Sequence, residues 1–338
     1  MRKFKILLDG SGTASAISVI KGLLKQSEYE IYLVSIDRDP FNAGRYLSNK
    51  FYTVPTDPEP RTEAILEICY KEKIDLFIPI IDETLLELAR RRKDFEKIGT
   101  FLLLAPLESL EIANNKMKTF QFFIENNIPT PKVYTSFDHI KYPAFIKPCT
   151  GGRASINAFK INDKEELKFY TSKISEYIIQ EYIEGEEFTA DCLASLDGNF
   201  LIECVVRRRL ETKGGLAIKC SLVSPNMSEL IKNYVEKINE KLRIPGAFNI
   251  QGFIIDKKNL VFIEINPRFA GTHAFTIEAG LNSIKFILDM LNGESPQNIK
   301  NKISINYDLK MIRYWDEIFI DESGRAYNPW KLWTKKNN

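Results

Sequence analysis

The sequence predicts an α/β protein in which a doubly wound parallel-sheet domain precedes an α+β domain built on antiparallel sheets. Three observations carry this. From residue 4 to about residue 104, short apolar runs alternate with helical stretches, the mark of repeated βαβ units. Around 105–115 the alternation stops, and from 133 to about 300 longer strands and turn-confined glycines replace it. Between the two patterns lies Ile128-Pro-Thr-Pro-Lys132, whose prolines impose an extended linker.

In chain order, the spacing predicts strands at 4–8, 31–36, 51–54, 74–80 and 100–104, with helices at 13–26, 62–72 and 83–93. The first turn, Asp9-Gly-Ser-Gly-Thr-Ala-Ser15, runs straight into a helix and could cradle an anion at its N-terminus through Gly10 and Gly12. Ser15 stands where the third glycine of a dinucleotide fingerprint belongs, while Asp37 could mimic the ribose-binding acid. A nicotinamide oxidoreductase therefore stays open at this point. A further helix begins near Lys116 and runs to about Asn127, and two charged helices are expected at 163–173 and 226–241. The tail, 301–338, contains a strand-like Met311-Ile-Arg-Tyr-Trp315 that should pack back onto the sheet. Domain limits are expected at 1–112, 113–300 (subdomains 113–188 and 189–300) and 301–338.

The chain has 338 residues and a net charge of +2, which argues against a polybasic nucleic-acid surface. The basic run Arg90-Arg-Arg-Lys93 ends a predicted helix, where cations complement the dipole. Five scattered cysteines without a C-x-x-C pair fit free thiols in a reducing compartment. Two histidines, His139 and His273, leave little for a Ser-His or Cys-His hydrolase. No apolar run approaches ~18 residues and the N-terminus reads as a first strand, so a cytoplasmic protein is expected.

The stretch Leu260-Val-Phe-Ile-Glu264-Ile-Asn266-Pro-Arg268 carries the most chemistry. Strand alternation points Glu264 and Asn266 the same way, and two oxygen donors followed by Arg268 suit Mg²⁺ held against a polyphosphate. Asn249-Ile-Gln-Gly-Phe-Ile-Ile255 reads as the partner strand, which brings Gln251 beside Glu264 as a third oxygen ligand. Asp256 lies in the connecting hairpin turn and should face solvent. Upstream, Phe145-Ile-Lys147-Pro ends a strand and meets Gly151-Gly152-Arg153, an arrangement that can hold a phosphate. Tyr177-Ile-Ile-Gln180-Glu181-Tyr-Ile183-x-Gly185-x-Glu187 reads as two strands with a kink between them.

Taken in this order, the segments resemble the ATP-grasp superfamily over roughly residues 1–295, including the α/β domain that members usually carry ahead of the ATP-grasp domain. The resemblance implies that Lys116 and Lys147 hold ATP phosphates beneath a glycine loop at 150–154 containing Gly151 and Gly152. It implies that Gln180, Glu181 and the backbone of Ile183 meet adenine and Glu187 the ribose. Glu264 and Asn266 match the metal ligands, with Glu264 bridging two Mg²⁺ ions, or Mn²⁺ in their place. Gln251 stands where many members have Asp, as in the carbamoyl phosphate synthase large subunit. Arg268 would stabilise the transferring phosphoryl group. Val206-Arg207-Arg-Arg209 matches a run in single-copy ligases of this subgroup, and alternation puts Arg207 and Arg209 on one face, where they could line a carboxylate substrate with Arg209 acting in catalysis. Thr272, His273, Gly10 and Gly12 are the remaining candidates for the acceptor pocket.

The function so implied is a carboxylate–amine ligase forming an acyl phosphate from ATP, with small-molecule acid and amine substrates, no nucleic-acid or membrane partner, and room for a homodimer. Carboxyphosphate and carbamate chemistry like that of carbamoyl phosphate synthase is the nearest rival, although that enzyme resembles two such units and this chain holds one. A non-catalytic ATP-binding regulator, with Gln251 and Gln180 as its marks, is a third reading.

Overall fold

The first five apolar runs assemble into a parallel sheet, in a computed structural model that describes residues 1–151 and 156–328. Its strands are β1 (Lys3–Leu8), β2 (Glu30–Asp37), β3 (Lys50–Thr53), β4 (Leu76–Ile78) and β5 (Phe101–Leu102), in the order β3-β2-β1-β4-β5. Helices α1 (Ala14–Lys25), α2 (Ala43–Tyr46), α3 (Pro58–Glu72), α4 (Leu85–Arg90) and α5 (Arg92–Lys97) connect them. The order reverses between β1 and β4, so their C-terminal ends form the crevice at which such sheets bind ligands. The single helix expected at 83–93 is instead a 3₁₀ turn, Asp82–Thr84, followed by two short helices. The break falls at Arg91, which leaves helical geometry and pairs with both Glu63 and Asp94.

Helices α6 (Leu107–Ala113) and α7 (Lys116–Glu125) lead to the antiparallel part. Asn115 caps α7, its side chain accepting from the Lys118 N–H. A small sheet follows, β6 (Val133–Tyr134), β7 (Ala144–Pro148), β8 (Phe159–Ile161) and β9 (Tyr177–Glu181), ordered β6-β9-β7-β8 with α8 (Lys164–Thr171) against it. After Gly185 the chain enters a six-stranded sheet. Its members are β10 (Glu186–Ala194), β11 (Leu201–Lys213), β12 (Leu216–Leu222), β13 (Ala247–Ile254), β14 (Leu260–Asn266) and β15 (Lys310–Ile312). They run β14-β13-β10-β11-β12-β15, with α9 (Pro225–Leu242) between β12 and β13. Three helices outside the expected elements, α10 (His273–Glu278), α11 (Ser283–Leu291) and α12 (Pro296–Lys302), link β14 to β15. A short hairpin, β16 (Phe319–Ile320) with β17 (Ala326–Tyr327), ends the described chain.

One apolar core runs unbroken from the parallel sheet (Leu7, Phe77) through α6 and α7 (Leu110, Phe123) to the inner face of the large sheet (Phe188, Ile250, Phe262). The small sheet has its own core of Ala144, Ile146, Ile161, Leu167, Ile174 and Ile179. Among the described residues, no helix is long and apolar enough to cross a membrane.

Candidate active site

Strand alternation gives the large sheet one apolar face and a second face that is polar in part, with Leu193 and Val205 of that face in a separate apolar core. Phe188, Ala190, Cys192, Val206, Ile250 and Ile265 enter the core. The other face carries a grid fixed by register: Thr189 stands opposite Arg207 on β11 and Gln251 on β13, and Asp191 opposite Asn249. Gln251 in turn pairs with Glu264, and Asn249 with Asn266. A bulge after Gln251 returns Phe262 to the core opposite Gly252. An added Cβ at Gly252 would lie 2.1 Å from the Val261 carbonyl oxygen, so the bulge requires glycine there.

Charges on this face are arranged unevenly. Glu264 is half-buried and makes no hydrogen bond or ion pair among the described residues. Asn266 is oriented, its Nδ2 donating to Asn249 Oδ1 at 3.3 Å while its Oδ1 accepts from Arg268 Nη2 at 3.3 Å. Arg268 makes a two-pronged pair with Asp82 beyond β4, at 2.6 and 2.9 Å, which ties the end of β14 to the parallel sheet. Arg209 pairs with Glu187 and also donates to Gln251 Oε1 at 3.4 Å. Burial pushes the Glu187 carboxyl up, Arg209 opposes this, and the Glu264 charge adds to it.

The small sheet contributes a second polar face. Lys147 and Phe145 share a side of β7, next to Ile178 and Gln180 of β9. Lys147 is buried, with Nζ 4.8 Å from the centre of the Phe120 ring. Burial lowers its pKa to about 7; the Glu264 charge across the cleft acts against the shift and Lys116 with it. Lys116 donates from Nζ to the Gly151 carbonyl at 2.9 Å, and its N–H donates to the Cys149 carbonyl at 2.8 Å. Gln180 is buried and its Oε1 has no hydrogen-bond partner, an orphan that a ligand donor would satisfy. The Glu181 N–H donates to the Lys132 carbonyl at 2.8 Å, and Ile183, half-buried, follows two residues beyond the end of β9. Gly152, Arg153 and the rest of the expected glycine loop lie outside the described residues.

Several expectations need correction. Arg207 does share a face with Arg209, but it is buried and ion-paired with Asp191 at 2.5 Å, so it is not available to a substrate. Arg209 is likewise occupied, by Glu187. Asp191, with Arg207, Thr276 and His273 around it, has its pKa lowered to about 2: burial alone would raise it, and Arg207 first and His273 next overcome that. His273 is sealed from solvent, Nδ1 3.5 Å from Asp191 and its ring edge-on to Phe269, and Thr272 is buried beside it. Both side chains are therefore closed to solvent. In the first turn, Gly10 takes a left-handed φ of +59° and donates to Asp9 Oδ1, while the Gly12 N–H donates to Asp37 Oδ2 at 2.9 Å. Asp37, the residue that could have met a ribose, closes its own turn. Asp256 is exposed, as expected, and accepts from the Lys258 and Asn259 N–H groups, holding the hairpin. Asp82 and Asp191, which pair with the expected site residues Arg268 and Arg207, are residues that motif reading passes over. For Asp82 a signal existed: an acid just past a parallel strand at the switch point.

Among the described residues there is no group of three or more His, Cys, Asp or Glu side chains that could cage a metal. Mg²⁺ is typically bound by one or two carboxylates together with substrate phosphates. Glu264, unpaired among the described residues, close enough to Lys147 for its charge to act on it and flanked by Gln251 and Asn266, fits that kind of site.

Comparison with known proteins agrees with the fold. The family model described as "PylC-like, N-terminal domain" matches residues 6–103, and "ATP-grasp in the biosynthetic pathway with Ter operon" matches 173–311. The carbamoyl phosphate synthase large chain of Thermoplasma volcanium is 24% identical over 344 residues, covering 91% of this chain but only 31% of that protein. The chain thus spans about a third of that relative's length. A carbamoyl-phosphate synthase of Methanobrevibacter smithii is 24% identical and covered over 70% of its length. Among solved structures, the biotin carboxylase domain of Hydrogenobacter thermophilus 2-oxoglutarate carboxylase, crystallised with MgADP and bicarbonate, superposes with a TM-score of 0.74 at 16% identity, covering 98% of this chain and 84% of that one. The L-amino acid ligase of Bacillus licheniformis superposes at 0.67 and 17% identity, covering 90% and 78%. The chain thus matches a PylC-like N-terminal model over its parallel-sheet domain and an ATP-grasp model over most of the antiparallel part that follows.

Proposed function

We propose that the protein is an ADP-forming carboxylate–amine ligase that uses Mg-ATP. The observation that carries this reading is the cleft itself, where a buried lysine and an orphaned glutamine on one sheet face an unpaired glutamate on the other. Lys147 and Lys116 would hold the phosphates, Gln180 and the Ile183 backbone the base, and Glu187, held by Arg209, the ribose. Glu264, Gln251 and Asn266 would hold Mg²⁺, which when bound neutralises charge on the phosphates. A carboxylate oxygen attacks the γ-phosphorus, the bond to the β–γ bridging oxygen breaks, and ADP leaves. Arg268, fixed by Asp82, is placed to stabilise the transferring phosphoryl group and then the oxyanion formed when the amine adds. Phosphate departs and the amide remains. No protein nucleophile is required.

Mg-ATP should raise the melting temperature, as linkage requires of a ligand that prefers the folded chain, and NADH should not. Phosphate release, screened over amino acids and sugar acids in pairs, should require both an acid and an amine. A melting shift with NADH and none with Mg-ATP would overturn the assignment. The relatedness to carbamoyl phosphate synthases favours a second reading, carboxyphosphate chemistry. Bicarbonate-dependent ATP turnover without any organic acid would establish it in place of the ligase.

A further inference from the structure

The guanidinium groups around the acceptor side differ in whether their charge is answered. Arg207 has Asp191, Arg209 has Glu187 and Arg268 has Asp82. Arg313, directly after β15, is half-buried and has no ion pair among the described residues. Its backbone N–H donates to the Ile218 carbonyl at 2.7 Å, which fixes the residue on the sheet edge, and its Nη2 donates to the Gly271 carbonyl at 2.7 Å. Gly271 comes three residues after Arg268. A Cβ on it would meet Leu216 at 2.6 Å, Ala14 at 3.6 Å and Ser15 at 3.9 Å, so Arg313 reaches the meeting point of the loop after β14, the start of β12 and the first turn of α1.

A guanidinium stays protonated in proteins, so burial cannot be relieved by losing the charge. Burial first and the neighbouring Arg207 charge second disfavour the cation here; Cys220 acts against them, and among the described residues no carboxylate does. One nitrogen is occupied by a neutral carbonyl, and the remaining donors of the fork suit an anion with two oxygens. Building on the ligase reading, we propose that Arg313 anchors a carboxylate of the acid or amine substrate at this junction. It lies beyond residue 311, where the ATP-grasp family match ends.

The test compares the wild type with Arg313→Met and Arg313→Lys in thermal melts, using Mg-ADP alone and then Mg-ADP with each of acetate, succinate and the twenty amino acids. Mg-ADP should stabilise all three proteins alike, which shows that the variants fold and keep the nucleotide site. At least one carboxylate should stabilise the wild type further. Titration of that probe should give an affinity weaker by about 10- to 100-fold in Arg313→Met, the usual range for a lost charge-assisted hydrogen bond, with partial recovery in Arg313→Lys. Lys310→Met, on the same strand and exposed, should bind the probe as the wild type does. Two results would overturn the proposal while leaving the nucleotide reading intact: unchanged probe affinity in Arg313→Met, or no carboxylate effect on a wild type that responds to Mg-ADP. Failure of Mg-ADP to stabilise the wild type would instead count against the ligase reading on which the proposal rests.

Discussion

At the scale of single residues, the cleft is organised by charges whose partners are missing or borrowed. Lys147 is the sharpest case. Its folded pKa of about 7 lies below the ordinary 10.5, so between those values the folded chain binds fewer protons than the unfolded one, and stability of the free protein rises with pH across that window. A bound polyphosphate favours the ammonium and reverses the shift. Binding of Mg-ATP at pH 8 should therefore take up close to one proton, measured by calorimetry in two buffers of different ionisation enthalpy, and Lys147→Met should abolish the uptake. Zero uptake in the wild type would mean that this lysine does not meet the phosphates. Lys147 and Glu264 were legible as residues because each ends a β-rich run beside a Gly or Pro break. The pairing of Arg207 was not, because Asp191, Thr276 and His273 come from β10 and α10, and only three-dimensional register brings them to it.

At the scale of elements, the bulge between β13 and β14 lets one pair of strands serve two masters, with Gln251 and Glu264 on the polar face and Phe262 in the core. Gly252→Ala should strain it, since the new methyl would also meet the Phe188 ring at 2.6 Å. A loss of about 1–3 kcal/mol in denaturant melts is expected, the usual cost of overpacking. Unchanged stability would show that the strands can shift apart freely. The parallel sheet was readable from alternation because β1 to β4 each adjoin α1 or α3, helices of 12 and 15 residues that show their period. Helices α10 and α12 have 6 and 7 residues, too few turns for periodicity to declare them. The split of 83–93 was hidden for another reason: Arg91 breaks the helix through partners on α3 and α5, not through a local breaker.

At the scale of the whole molecule, the Arg268–Asp82 pair spans 186 residues of sequence and joins the end of β14 to the switch-point crevice of the N-terminal sheet. Asp82→Asn keeps the shape but removes the charge that aims the guanidinium. If the acid substrate is activated at this joint, steady-state kinetics should show kcat/KM for the acid falling about 10-fold or more with Mg-ATP affinity within twofold of wild type. Equal loss of Mg-ATP binding would place Arg268 on the nucleotide instead. Two domains of different construction were evident from the change in pattern near residue 105, but the contact that makes them one site was not, since neither partner announces the other.

Because β15 hydrogen-bonds to β12 alone, through Lys310, Met311 and Ile312, it can be exchanged without rethreading the strands that carry Lys147, Glu187 or Glu264. A chimaera that takes the segment after α12 from a relative would inherit that relative's anchor while keeping the resident nucleotide face. Acceptor choice would then be separable from phosphoryl transfer by a single splice, and substrate range could drift between relatives through their last strand while the catalytic face stayed fixed.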